Sequence, residues 1–300
     1  MARTRPSPWR LGGLSPRQLV RRLWAEFWED EVLDRAAALA YYFLFALFPS
    51  LLFLTALVGL FPGALMDTFM TYISQVVPPD AASMIRKTLE QVIAGAGSGV
   101  LSFGFVLALW SASSGMASVM SALNIAYGVD DPRPWWKRRL VAIVLTGGYS
   151  IFVILALAFM VFGPHLGSAA VARFGLGQLY ATAWSLASIP LALLFALVGV
   201  ALVYYFAPAV EQEWRWLTPG STFTLVTWLA MSFALREYVG RFSNYNATYG
   251  SIGGVILLLL WLYLSSVVLL LGAEINSEIE HAAAERGAAD AKAEGELKAA

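Results

Sequence analysis

Residues 251–273 read SIGGVILLLLWLYLSSVVLLLGA, 23 positions without one charged side chain. A helix rises 1.5 Å per residue, so about 20 such residues cross the roughly 30 Å hydrocarbon core of a bilayer. The stretch is therefore read as a transmembrane helix. Working outward, five further uncharged runs have that length, at residues 36–61, 100–123, 140–163, 181–207 and 217–235. The last of these is short and rich in hydroxyls, with Thr218, Ser221, Thr222, Thr224, Thr227 and Ser232. The expectation is an all-α polytopic membrane protein, a bundle of six transmembrane helices within residues 36–276.

Composition supports this. The chain is 59% hydrophobic and 13% charged, with a mean hydropathy of +0.66, about half the charged share of a soluble domain. Formal net charge is zero, so no global field recruits nucleic acid. Absence of cysteine excludes disulfides, thiolate metal sites and cysteine nucleophiles. Two histidines, His165 and His281, are too few for a His-rich zinc site. Gly95, Gly97 and Gly99 lack the Lys-Ser/Thr that completes a phosphate-binding loop. No catalytic residue, metal or cofactor is expected.

Short loops rich in Lys and Arg stay cytoplasmic. With six spans, fifteen of the twenty basic residues fall on the side that holds both termini. Both termini are therefore expected in the cytoplasm. The first apolar run begins near Ala36, behind an acidic cluster, and is too long for the h-region of a cleavable signal.

Outside the spans, residues 1–35 form an N-terminal cytoplasmic segment. Ser15, Pro16 and Gln18 give an N-cap, a first-turn proline and a capping-box partner for a helix expected to reach Asp34. Val20, Leu23, Trp24, Phe27 and Trp28 make it amphipathic, a surface helix lying on the membrane. Pro78 and Pro79 divide residues 62–99 into an external helical hairpin, whose second arm carries Ile85, Leu89, Val92 and Ile93. Residues 277–300 form a cytoplasmic tail, helical and then partly disordered.

Three segments together resemble one family: RAAALAYYFLFALFPSLLFL from Arg35, LWSASSGMASVMSALNIAYG from Leu109 and YNATYGSIGGVILLLLWLYLSSVVLLLGAEIN from Tyr245. The chain is similar to the YihY/virulence factor BrkB family of bacterial inner-membrane proteins over residues 35–276. Pro132 and Pro134 around Arg133 depart from the usual loop of that family. The resemblance implies a multi-pass protein of the bacterial inner membrane, without a settled biochemical activity. Relatives have been labelled as a ribonuclease and as a serum-resistance factor. Phosphodiester hydrolysis needs metal-binding carboxylates, or an acid and a base converging on one site, and such groups are scattered along this chain.

The residues singled out as a polar path or cluster are Ser111, Ser114, Asn124, Tyr127, Asn246, Tyr249 and Glu274. Ser111 and Ser114, with Ser118 and Ser121, recur at helical spacing, which suits close helix packing or a wet path. Asn124 and Tyr127 follow them, and an amide at that depth needs partners. Asn246 and Tyr249 precede the last span as a cap or an external mouth. Glu274 ends that span, as an interface anchor or a proton or cation site. Pro49 and Pro190 kink their spans. Tyr41-Tyr42-Phe43 and Tyr204-Tyr205-Phe206 hint at an inverted repeat.

Two functions fit: a transporter or lipid-handling permease of unknown substrate, and a non-transporting envelope assembly or scaffold protein. Partners in the first reading are membrane lipids and a small solute or lipid, with no nucleic acid; a homo-oligomer is open in both. The topology predicts that a fluorescent reporter active only in the cytoplasm glows when fused to Ala300. Single cysteines at Ser74 and Ser243 should react with an impermeant label in intact spheroplasts. A dark reporter, or silence at both cysteines with reactive controls, overturns the orientation.

Overall fold

A peptide group in hydrocarbon has no water to bond with, so an apolar run must satisfy its backbone internally, as a helix does. The structure, a computed structural model, describes residues 8–58, 98–174, 178–210, 217–241, 245–287 and 291. Every regular element among the described residues is helical. A 3-10 turn at Pro8–Gly13 precedes α1 (Pro16–Glu29), α2 (Val32–Val58), α3 (Ser98–Ala126), α4 (Trp135–Phe174), α5 (Gln178–Phe206), α6 (Pro219–Arg241) and α7 (Tyr245–Glu285).

The expected spans fall on α2 to α7 in order. Among the described residues, Thr182–Phe206 and Gly254–Glu285 are long and apolar enough to cross a membrane by length and composition. The expected external hairpin lies outside the described residues except for its last two, which open α3. Of the expected tail, residues 277–285 simply continue α7.

One boundary moves. The N-terminal helix was expected to run through Asp34, but α1 stops at Glu29. Glu31 takes the left-handed conformation, with φ at 50°, and α2 then starts at Val32. Asp30 caps the break by donating its N–H to the Glu26 carbonyl at 2.8 Å, and the Arg35 Nε donates to the Asp30 carbonyl at 2.6 Å. An acidic run without an apolar period gives no warning of such a turn. At the other end the capping box is present: Gln18 N–H donates to Ser15 Oγ at 3.3 Å and Ser15 N–H to Gln18 Oε1 at 2.8 Å.

The chain divides into two units, Met1–Ala40 with Met116–Ala300, and Tyr41–Gly115. In the second, Tyr41 packs on Phe45 with ring centroids 4.6 Å apart, and a Cβ on Gly115 would meet the Phe43 ring at 3.3 Å. That brings α3 close to α2 through a glycine, as small residues do at helix contacts in lipid.

In the first unit α4 and α5 run along each other, with Phe152 against Phe195 at 6.4 Å. The seam of α6 and α7 is closer. A Cβ on Gly220 would strike the Gly272 carbonyl, and one on Gly272 would strike Thr224 Oγ1 and the Tyr204 hydroxyl. Around that contact, the Tyr204 hydroxyl bonds Thr224 Oγ1 at 2.7 Å and donates to the Leu269 carbonyl at 2.5 Å. Trp228 Nε1 donates to Ser265 Oγ at 3.0 Å and Trp261 Nε1 to Ser232 Oγ at 3.1 Å. Of the hydroxyls in the short fifth run, Thr224 and Ser232 are thus used between helices: they bind α6 to α7 and, through Tyr204, to the end of α5; Thr218 and Ser221 bond each other at the start of α6.

Many large apolar side chains stay exposed, among them Val144, Leu186, Ile189, Val226, Phe233 and Ile256. In water this would be a liability; in lipid it is the solvated surface. Gly272→Ala should lower the melting temperature of the micelle-purified protein, because overpacking costs about 1–3 kcal/mol. Gly147→Ala, where a Cβ meets nothing within 4 Å, should leave it unchanged or raise it. Equal melting of both variants with the wild type would show that this seam is not the tight contact.

Candidate functional site

Polar side chains gather at two places. The first lies where α3 ends. Its helix closes on Gly128, at φ 62°, with Val129 N–H bonded to the Asn124 carbonyl at 2.9 Å, the C-terminal pattern that favours glycine. This turn carries Asp131 back to Asn124, whose Nδ2 donates to Asp131 Oδ2 at 3.2 Å. Arg133 closes on the same carboxylate, through Nε to Oδ1 at 2.6 Å and Nη2 to Oδ2 at 2.8 Å. Its Nη2 also donates to the Ala207 carbonyl at 3.2 Å. Asn124 Oδ1 accepts the buried N–H of Ala209 at 2.6 Å.

One amide and one ion pair therefore fasten the end of α5 to the loop between α3 and α4. Burial alone would raise the Asp131 carboxyl; the hydrogen bonds and charge of Arg133, then the charge of Arg138, outweigh it and hold the group below its ordinary 3.8. Tyr127 is buried beside this knot and packs with Val129 and Val210.

The second place is the polar end of α7. Leu14 and Leu19 pack on Ile275, Ile279 and Ala282, with Leu11 and Leu23 at the margin, so α1 lies against the continuation of the last helix. Gly12, at φ 58°, lets the chain come against the Ile279 carbonyl where a side chain would clash. Arg286 Nη1 donates to the Gly12 carbonyl at 2.8 Å.

Glu274, Glu278 and Glu285 come round on this side of α7 at spacings of four and seven. Arg22 pairs with Glu285 at 2.8 Å and with Glu278 at 3.4 Å. His281 Nδ1 stands 3.8 Å from Glu278. Glu274, only 2% exposed, shares a hydrogen bond with Asp30 and has Glu26 and Glu278 nearby. A hydrogen bond between two carboxyl groups forms only when one of them carries a proton. Among the described residues, no set of three or more His, Asp or Glu is arranged to hold a metal ion.

The remaining singled-out residues stand as follows. Ser111 and Ser114 are half-buried, and Ser114 Oγ donates to its own helix at the Trp110 carbonyl, 3.0 Å away. The fully buried serine of α3 is Ser113, which the spacing argument passed over. Asn246 and Tyr249 belong to the first turns of α7, and their side chains lie outside the described residues. The bonds found for Asn124 go to Asp131 and Ala209, and those found for Glu274 go to α1. Sequence reasoning missed Asp131, Asp30, Glu26 and Glu278. For Glu278 a signal existed, its place one turn beyond Glu274.

A profile of the family described as Virulence factor BrkB matches residues 23–296. The Bacillus subtilis (strain 168) protein YfkH, whose name calls it ribonuclease-like, is 35% identical over 258 residues, covering 86% of this chain and 94% of its own. A UPF0761 membrane protein of Stenotrophomonas maltophilia (strain K279a) is 30% identical over 263 residues, 86% of this chain and 60% of its own. One from Xanthomonas campestris pv. campestris (strain B100) shows the same identity and coverage. The chain thus spans about three fifths of these two relatives. No solved structure matches.

Asn124→Leu strands the Ala209 N–H and should cost about 1–3 kcal/mol of stability. The lowered Asp131 carboxyl adds stability that is complete above its unfolded value of 3.8 and is lost as pH falls through the depressed folded value. Melting scans from neutral pH downward should therefore show a loss below about pH 4 that is smaller in Asp131→Asn. Superimposable acid profiles would remove the ion pair from the account.

Proposed function

We propose, from the premise that this chain belongs to the virulence factor BrkB family, that this membrane protein is a transporter or lipid-handling permease. It crosses the bacterial inner membrane six times, with both termini in the cytoplasm. The observation that carries the reading is the buried Glu274 beside Asp30, where 23 uncharged residues end.

A buried carboxyl pair is costly and contributes little that an apolar contact would not. Ionisable groups at membrane segments are conserved for ion and proton pathways. The pair is therefore read as the place where protonation meets movement. Ser111, Ser114, Asn124, Tyr127, Asn246 and Tyr249 belong to the polar path this reading implies.

The scaffold reading has its own observation. Val20, Trp24 and Trp28 of α1 are exposed on one face, a surface able to lie on a membrane or a partner. The word ribonuclease in the name of the Bacillus relative finds no support in the family, and none in the two clusters described.

The test reconstitutes the full chain into liposomes. One set carries a fluorescent-acyl phospholipid quenched from outside by dithionite; a second carries a trapped pH dye and receives an acid pulse. Protein-dependent loss of protected lipid fluorescence, or protein-dependent proton entry, supports the permease. Glu274→Gln keeps shape and hydrogen bonding but removes the charge; it should slow the positive signal at least tenfold and flatten its pH dependence. If both signals match empty liposomes, the permease reading falls and the scaffold stands.

A further inference from the structure

The loop knotted to Asn124 leaves a groove beside it. It has a volume of about 530 Å³ and runs between the first turns of α4 and the end of α5. Arg133, Pro134 and Lys137 line one end; Leu140, Val144 and Phe206 line the rest. Lys137, Leu140 and Val144 are spaced three and four apart, so they form one stripe about 10 Å long.

The two ends differ in chemistry. At the polar end Arg133 is committed to Asp131 and the Ala207 carbonyl, whereas Lys137 is exposed. The first turn of α4 holds no acidic residue, so its N–H groups add partial positive charge. From Asp130 to Arg139 there are four basic side chains against two acidic ones. The apolar end is open to its surroundings, with Leu140 55% and Val144 65% exposed. Trp135 and Trp136, exposed at the start of α4, are the residue type that sits at the headgroup level.

We propose that this groove binds one anionic glycerophospholipid, with its phosphodiester against Lys137 and an acyl chain along Leu140, Val144 and Phe206. Charge complementarity selects the occupant. A zwitterionic lipid would bring its own cation to a positive rim, and a soluble anion would leave the apolar stripe uncovered. Basic pockets at the ends of membrane helices bind anionic headgroups on these grounds. The site goes beyond the permease reading and does not depend on it.

The experiment is native mass spectrometry of the full chain in neutral micelles, given equal amounts of phosphatidylglycerol and phosphatidylcholine. One retained phosphatidylglycerol is expected, favoured about fivefold or more over phosphatidylcholine. Lys137→Glu should abolish the preference, Lys137→Arg should keep it, and Arg17→Glu, outside the groove, should leave it intact. Val144→Trp fills the apolar end and should reduce retention of the lipid itself, while excess glycerol 3-phosphate should not displace the lipid from the wild type. Equal retention of the two lipids overturns the proposal. So does an unchanged preference in Lys137→Glu, or displacement by glycerol 3-phosphate, which would mark a site for soluble phosphate.

Discussion

Hydrocarbon accepts no hydrogen bond, and this constraint governs the chain more than any single contact. It forces each apolar run into a helix, and it removes the driving force that would otherwise press apolar side chains together. Helices must then hold one another by close approach and by polar side chains whose alternative is an unsatisfied group. Gly272 against Gly220, and Tyr204 between Thr224 and the Leu269 carbonyl, are what that constraint produces. Hydroxyls that weaken the apolar character of α6 are the price of holding it in place.

The same helix that meets α6 in its apolar part meets α1 in its polar part. Since α7 is continuous from Tyr245 to Glu285, a single helix joins the two contacts. The docking of α1 rests on a small apolar cluster, an arginine fork and the chain crossing at Gly12. Glu274 lies between the two contacts, directly after the uncharged run that ends at Ala273, and near Asp30. In the permease proposal this is where protonation alters how α1 sits on α7.

The helices were legible because the signal is long: an uncharged run of 20 or so residues has few readings. The capping box at Ser15 was legible because it is local. What escaped notice depends on contacts distant in sequence. Asn124 was expected to need partners, yet nothing near it in the chain names Ala209. Glu274 was expected at an interface or in a cluster, yet the acidic residues of α1 read only as a charged flank to the first span. The turn at Glu31 is invisible because a non-glycine residue at positive φ has no composition of its own. Spacing did locate a serine-rich face on α3, but burial picks out Ser113 and the methionines Met116 and Met120.

The two polar clusters differ in a way that separates structure from function. Around Asp131 the carboxylate is answered: it meets Arg133 directly and Arg138 at 3.9 Å, and accepts from the amide of Asn124. Its carboxylate is fully paired, and the cluster ties a loop to the end of α5. At the junction of α1 and α7, Glu26, Asp30, Glu274, Glu278 and Glu285 gather, with Arg22 paired to Glu278 and Glu285 and His281 3.8 Å from Glu278. Carboxyl groups gathered around a buried one repel each other unless a cation or a proton intervenes. Under the permease proposal, a proton shared between Glu274 and Asp30 relieves that repulsion. Packing alone would be served as well by a leucine at position 274, and the permease proposal assigns the carboxyl there to carrying a proton.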